Sequence, residues 1–307
     1  MLLILKSQVT YKVTNEIQKE IFNMKYAITA VTGRFGQVAM KTLAELVPAE
    51  QIIGLARNTD KAANMVPAGV TVRPGDYNDV ATLTESMKGV DRLLFISSQP
   101  GGDVPRAQQH LNVIEAAKNA GVKWIAYTSF PHADSATGAL ASDHIQTEKA
   151  LAASGIDHTF LRNNWYLENE MDSIKGALAG QPFVYGAGEG HVGWALEHDY
   201  AEAAAKVLVS DQPKAIYEFA GVPATYADLA QAISELTNQE FKVVSLDTAD
   251  YRRGLEDNGL PAEVAEVVTA IQTMIQDGDL DETTSDLPDV LGRPLPSLKA
   301  ALQTIIK

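Results

Sequence analysis

The chain of 307 residues contains no cysteine. Disulfides, thiol redox chemistry, iron–sulfur clusters and cysteine-bound zinc are therefore excluded. It has no run of about 18 apolar residues, so no membrane-spanning helix is expected. Basic residues are the minority, with 25 Lys and Arg against 39 Asp and Glu and a net charge of −14. That balance disfavours nonspecific binding to nucleic acid or an anionic membrane, and no Lys/Arg cluster offers a local exception. The six histidines show neither H-x-x-x-H nor H-x-H spacing, so no bound metal is expected. There is no G-x-S-x-G elbow and no G-x-x-x-x-G-K-[ST] loop. An α/β-hydrolase and a P-loop NTPase are disfavoured on that ground.

What is present reads as an ordinary globular chain, 46% hydrophobic and 21% charged. Residues 1–23 stand apart. Met1 to Leu5 is apolar but too short for a signal h-region. Lys19-Glu20 can be encoded AAG-GAG, which resembles a ribosome-binding site just upstream of Met24. Met24 is the expected start, with an extra N-terminal helix as the alternative. A cytoplasmic location is expected.

From Met24 the pattern alternates. Apolar strands are expected at 26–31, 51–56, 70–73, 92–97, 123–128 and 158–161, with helices between them. The clearest helix runs from Val104 to Ala120, with Asp103 as N-cap and Gly121 after its end. Strands alternating with helices imply parallel βαβ units and a doubly wound α/β sheet. Beyond about residue 165 the alternation loosens into helices 200–209, 226–237, 250–258 and 261–275 and strands 215–220 and 241–246. This portion reads as a smaller lobe on the carboxyl edge of the sheet, where open α/β folds keep their ligands. The division is 24–165 for the cofactor domain and 166–307 mainly for the lobe, with some elements of the latter returning to the cofactor domain.

The first β-α unit holds the turn Ala30-Val31-Thr32-Gly33-Arg34-Phe35-Gly36. A strand, a glycine-bearing turn and a helix form a cradle for a dinucleotide pyrophosphate. Gly33 would admit the phosphates, and Gly36 would let the helix pack on the strand. Ala30 stands where the first glycine of the fingerprint is usual. An alanine at positive φ there would cost about 1–2 kcal/mol. The second strand ends at Arg57 with no Asp or Glu, 21 positions after Gly36. An NAD site wants a carboxylate there, whereas an arginine pairs with a 2′-phosphate, which favours NADP(H). Asp76-Tyr77 should lie by the adenine and Ser97-Ser98 by the nicotinamide ribose. A second glycine cluster, Gly186 to Gly190, is followed by no helix and reads as a flexible loop.

Short-chain reductases use a Tyr-x-x-x-Lys pair as proton donor and helper. None of the ten tyrosines has Lys four residues later. Lys149 stands in the expected helix, but Ile145 takes the tyrosine position. Lys149 is expected to bond the nicotinamide ribose.

These residues carry a resemblance. The turn, Ala56-Arg57-Asn58, Gly75-Asp76-Tyr77, Phe95 to Ser98, Ala126 to Ser129, His144 to Lys149 and Leu161-Arg162-Asn163 resemble the NmrA-like branch of atypical short-chain reductases. Within it the chain looks most like the bacterial type 2 quinone oxidoreductases. The resemblance implies a Rossmann domain with a small C-terminal α/β lobe, NADPH as cofactor and hydride transfer to a quinone or other flat aromatic acceptor. It assigns cofactor contacts to Thr32 through Gly36, Arg57, Ser97, Lys149 and Asn163. Quinone reduction is favourable and needs no dedicated strong acid, which suits the missing tyrosine. Asn163 and Tyr166 are expected to line the catalytic pocket, with Trp165 as an apolar wall. A homodimer is the expected assembly. Two rival readings stay open: a non-catalytic NADP(H)-binding redox sensor, and a triphenylmethane or azo dye reductase.

Overall fold

The computed structural model describes residues 24–136 and 138–306; the sequence reading of residues 1–23 lies outside them. Among the described residues nine strands form: β1 Tyr26–Ile28, β2 Ile52–Ala56, β3 Thr71–Pro74, β4 Arg92–Phe95, β5 Trp124–Ser129, β6 Asp157–Asn163, β7 Phe183–Tyr185, β8 Ile216–Phe219 and β9 Val243–Ser245. The helices are α1 Arg34–Leu46, α2 Thr59–Ala63, α3 Val80–Met87, α4 Arg106–Ala120, α5 Ala139–Ser154, α6 Met171–Leu178, α7 Glu197–Val209, α8 Tyr226–Thr237, α9 Thr248–Asp257, α10 Ala262–Gln276, α11 Asp286–Leu291 and α12 Leu298–Ile305.

Seven strands pair in parallel in the order β3-β2-β1-β4-β5-β6-β8. β1 and β2 are buried throughout, as strands covered by helices on both faces must be. The strand order reverses between β1 and β4, which opens a crevice outside their carboxyl ends. The doubly wound sheet expected from the alternation is what the chain forms.

Several element ends differ from expectation. β1 stops at Ile28 and β4 at Phe95. The Thr29 N–H still reaches Leu94 O at 3.1 Å, but Ala30 then turns left-handed at φ +52° and takes the chain out of the sheet. α4 starts at Arg106 behind Pro105, without a side-chain cap from Asp103, and ends as expected on left-handed Gly121.

The C-terminal portion is not a separate lobe throughout. β8 pairs with β6 and completes the main sheet. α7 packs on α1, where Ala201, Ala204 and Ala205 share one core with Ala39, Met40 and Leu43. Small residues let two helices meet closely there. The remainder builds a second core around Leu167, Phe183, Tyr185, Trp194 and Tyr226. Phe130, just past β5, belongs to it, so this core sits on the carboxyl ends of the strands.

Candidate active site

A cleft of about 530 Å³ opens at the carboxyl ends of β1 to β4. The first turn forms one wall. The Gly33 N–H closes the turn onto Ala30 O at 3.0 Å, and Gly33 is the extended N-cap of α1. No side chain caps α1, and its first turn carries no acidic residue. Its leading N–H groups therefore face the cleft as an anion site. Gly36 is required by contact: a Cβ there would lie 2.4 Å from Ala30 O. Gly75 is equally confined, its Cβ position being 2.8 Å from Ala56 N. Ala30, Thr32, Arg34 and Phe35 line the same wall.

Ala30 carries the positive φ that the sequence left as a condition. The strain belongs to the folded turn itself, so it weighs on stability before it weighs on affinity. Glu197, at the start of α7, brings a carboxylate to this wall and pairs with Arg34 at 3.1 Å. Burial raises its pKa, against the pull of Arg34 and the Phe35 N–H, while Glu168 adds to the rise. A carboxylate held there opposes any second anion at the same wall.

Arg57 follows β2 directly and lines the cleft with its side chain exposed. Among the described residues no carboxylate pairs with it, so its fork is free for a ligand. Asp76 and Tyr77 also line the cleft. The Tyr77 side chain is structural, because its hydroxyl joins Thr29 Oγ1 at 2.5 Å and Ile96 O at 2.7 Å. That tie holds the ends of β1, β3 and β4 together. Ser97 and Ser98 form the far wall. The Ser97 N–H donates to Thr128 Oγ1 at 2.8 Å and the Ser98 N–H to His110 Nε2 at 3.0 Å.

Asn163 ends β6 and is 6% exposed. Its Nδ2 donates to the Tyr166 hydroxyl at 3.2 Å, and the Tyr166 ring stacks on Phe35 with 6.2 Å between centroids. Asn163 and Tyr166 thus adjoin the cradle wall, although they do not line the cleft itself. Trp165 donates from Nε1 to Glu170 at 3.0 Å and is not among the residues that line the cleft.

Lys149 is exposed and is not among the residues that line the cleft. The buried side of α5 carries His144, Thr147, Glu148 and Leu151 at helical spacing, and Lys149 falls between them. The Gly186–Gly190 cluster is a correction. It stays clear of the cleft, but it is packed and not open: the Gly186 N–H donates to Gln272 at 2.8 Å, and a Cβ on Gly190 would lie 2.3 Å from Ile275 O.

Sequence reasoning missed a buried polar network. Because the Ser98 N–H donates to His110 Nε2, the His110 proton sits on Nδ1 and donates to Thr147 Oγ1 at 2.8 Å. Thr147 passes its own proton to Asp143 O at 2.6 Å. The Tyr127 hydroxyl meets His144 Nδ1 at 2.8 Å. Burial, then the nearby Arg106 charge, drives the His110 pKa down to about 3 and holds His144 well below its usual value. Both histidines are neutral near pH 7. The signal was the spacing His144, Thr147, Glu148 along one helix face.

The comparisons with known proteins agree with this geometry. A family model described as NAD(P)H-binding matches residues 31–191, from the glycine turn to just past β7. The chain is 43% identical over 276 residues to Quinone oxidoreductase 2 of Escherichia coli (strain K12), covering 89% of this chain and 95% of that protein. The chain belongs to the NAD(P)H-binding family. Among solved members, the Escherichia coli NADPH-dependent quinone oxidoreductase complexed with NADPH superposes with a TM-score of 0.87 at 39% identity, covering 92% of this chain and all of that one. The Citrobacter sp. triphenylmethane reductase complexed with NADP(H) gives 0.83 at 33%, covering 91% and 99%. The cleft fits the cofactor class of the family: an uncapped helix N-terminus, glycines where a Cβ would collide, and a free arginine past β2.

Proposed function

We propose that this protein is an oxidoreductase that transfers a hydride from NADPH to a quinone or similar flat aromatic acceptor. The observation that carries the cofactor preference is Arg57, an unpaired guanidinium lining the cleft where an NAD site would hold a carboxylate. The Escherichia coli quinone oxidoreductase, similar over nearly its whole length, supports the acceptor class.

When bound, NADPH supplies the hydride, and all else falls to the chain. The unspent N–H groups at the head of α1 bind the pyrophosphate where Gly33 and Gly36 let it approach, and Thr32 and Arg34 flank it. Arg57 grips the 2′-phosphate. Asp76 and the Tyr77 backbone border the adenine end. Ser97 and Ser98, pinned by Thr128 and His110, bound the nicotinamide end. Asn163 orients Tyr166, whose ring closes on Phe35 and keeps water out of that end. Burial raises the Tyr166 pKa, so its hydroxyl stays protonated and donates a hydrogen bond without giving up its proton. Favourable quinone reduction tolerates that, and the missing Tyr-x-x-x-Lys pair follows. The proposal includes a cytoplasmic location and self-association as a homodimer, which sedimentation velocity would check.

The test is NADPH oxidation with a panel of quinones, triphenylmethane dyes and azo dyes, run with both cofactors. Turnover with quinones above dyes is expected. NADPH binding without turnover of any acceptor would sink the enzyme reading in favour of a sensor. Arg57→Ala should weaken NADPH about 10- to 100-fold, the worth of a charged hydrogen-bond pair, and leave NADH alone. Equal losses for both cofactors would refute the 2′-phosphate role.

A further inference from the structure

Arg106 opens α4 one turn before His110, which holds Ser98 at the cleft wall. Its placement is unfavourable on three counts. It is a cation at a helix N-terminus, where the dipole opposes it. It is only partly exposed, with Nε buried, and burial lowers its pKa. It also has no partner: its Nε is fully buried without a hydrogen bond, and among the described residues no carboxylate lies within 4.0 Å. The groups around it are Tyr127, Tyr166, Asp143, His110 and His144. Both histidines are neutral, so Asp143 is the one anion in electrostatic reach. An arginine remains charged in such a place, and a buried donor left without a partner costs free energy.

A second, independent orphan lies against the same tyrosine. Asn163, more than nine-tenths buried, spends Nδ2 on the Tyr166 hydroxyl and leaves Oδ1 without a partner. Turning the amide over would exchange which atom is orphaned, not remove the orphan. Of the three buried unpartnered side-chain atoms among the described residues, one belongs to Asn163, which bonds Tyr166, and one to Arg106, whose charge reaches Tyr166. Two unmet polar groups that both act on Tyr166 point to a ligand that meets them.

We propose that Arg106 is a catalytic residue that holds the negative charge formed on the acceptor oxygen. The proposal rests on the acceptor reading given above. Hydride delivery brings two electrons and one hydrogen to the quinone. One oxygen becomes a hydroxyl and the other carries the charge of a hydroquinone monoanion. Arg106 pairs with that oxyanion beside the Tyr166 hydroxyl, and a water proton then neutralises it. A preorganised cation in a site poor in water stabilises such a charge strongly. An arginine that pairs with nothing in the protein is free to do so.

The test compares the full-length protein with Arg106→Gln and Arg106→Lys. The Gln variant should lose about 100-fold in kcat/KM for the quinone, the usual loss of one oxyanion-stabilising group. The Lys variant should fall in between. NADPH affinity, measured by fluorescence titration, should be unchanged in both. The melting temperature of Arg106→Gln should equal or exceed that of the parent, because no bond is lost; a merely structural arginine would lower it.

A readout without turnover uses 4-nitrophenol, whose phenolate absorbs visible light, added to the NADP⁺-loaded protein. The parent should bind the phenolate about tenfold more tightly than the phenol, lowering the apparent pKa by about one unit. Arg106→Gln should abolish that shift. Quinone turnover equal in Arg106→Gln and the parent would overturn the proposal and leave the acceptor reading standing. So would a parent protein that does not favour the phenolate. An Arg106-dependent phenolate shift in a protein that reduces no quinone would keep the anion site and sink the acceptor reading.

Discussion

Two glycine turns follow a strand in this molecule, and only one faces a cleft. The Ala30–Gly36 turn leads into α1; the Gly186–Gly190 turn follows β7 and leads into no helix. Both are packed to the limit, since a Cβ on Gly36 or Gly190 would lie 2.4 Å or 2.3 Å from a carbonyl oxygen. Their glycines are required for the same steric reason. They differ in where the backbone donors go. The first turn gives α1 no N-cap side chain and faces the cleft, where the Phe35 N–H is drawn to Glu197 and the neighbouring donors stay unspent. In the second, the Gly186 N–H is consumed by Gln272, whose Nε2 donates to Tyr226, whose hydroxyl donates to buried Glu170. Glycine spacing therefore marks close packing. The unspent N–H groups mark the binding site.

The sharpest way to break this comparison is to add a methyl group to each turn. Gly36→Ala and Gly190→Ala should each cost about 3 kcal/mol of stability, at the upper end for overpacking against backbone. Only Gly36→Ala should also abolish NADPH binding in the fraction that stays folded. Chemical denaturation and cofactor titration separate the two effects. Loss of NADPH affinity in Gly190→Ala would show that the second turn serves the cleft after all.

The chain of bonds behind the second turn predicts a pH dependence. Burial drives the Glu170 carboxyl up to about 7, while Tyr226, Trp194 and Trp165 donate to it and hold the rise in check. Its unfolded value is 4.5. Between those values the folded protein keeps a proton that the unfolded chain has released. Stability from this group is complete below the lower value and is lost as pH rises through the upper one. Glu170→Gln keeps an acceptor for the same donors and carries no charge. It should gain on the parent protein as pH rises, by at most about 3 kcal/mol near pH 8. Melting curves followed by the emission of Trp165 and Trp194 would show it. Parallel curves for parent and variant from pH ~5 to ~8 would mean that the buried carboxyl is not neutral in the folded state.

The cradle was legible because everything that makes it is local. Strand, turn and helix lie within 21 residues, 26–46, and Arg57 follows at the end of the next strand. Strand ends were overrun at Val31 and Ser97 because departure from the sheet is set by neighbours, as when Leu94 still holds Thr29 while Ala30 turns away. The other end of the cleft was opaque. His110, Thr147, Tyr127 and Ser98 come from four separate elements or loops, and nothing in their spacing joins them. Arg106 looked like one more residue of an amphipathic helix. Its lack of any partner is a property of the packed structure.

A smaller effect is expected at Ala30. Replacing it with Gly relieves the positive φ and should stabilise the fold by about 1–2 kcal/mol. For a chain of this size that raises Tm by a few degrees. The strain is present before cofactor binds, so NADPH affinity should rise less than stability does. Glu197→Gln makes the complementary change. It removes the competing anion from the cradle and should tighten NADPH severalfold, the worth of a partly screened charge near a helix N-terminus. A unchanged Kd would show that Arg34 already neutralises it.

The smallest effect tests the reading of the far helix. Lys149 satisfied a sequence argument, yet α5 turns it to solvent, while the inward positions belong to His144, Thr147 and Glu148. Surface substitutions away from special features stay within about 0.5 kcal/mol. Lys149→Ala should therefore leave Tm, NADPH affinity and kcat within error of the parent. His110→Ala sits one helix away and should do the opposite. It leaves the Ser98 N–H without its partner, while Thr147 keeps its bond to Asp143 O, and an unmet buried group costs about 1–3 kcal/mol. The loss should appear in stability and in KM for NADPH, because Ser98 bounds the cleft. If Lys149→Ala weakens NADPH while His110→Ala does not, the inward face of α5 has been misassigned. The nicotinamide end would then have to be rebuilt around the lysine.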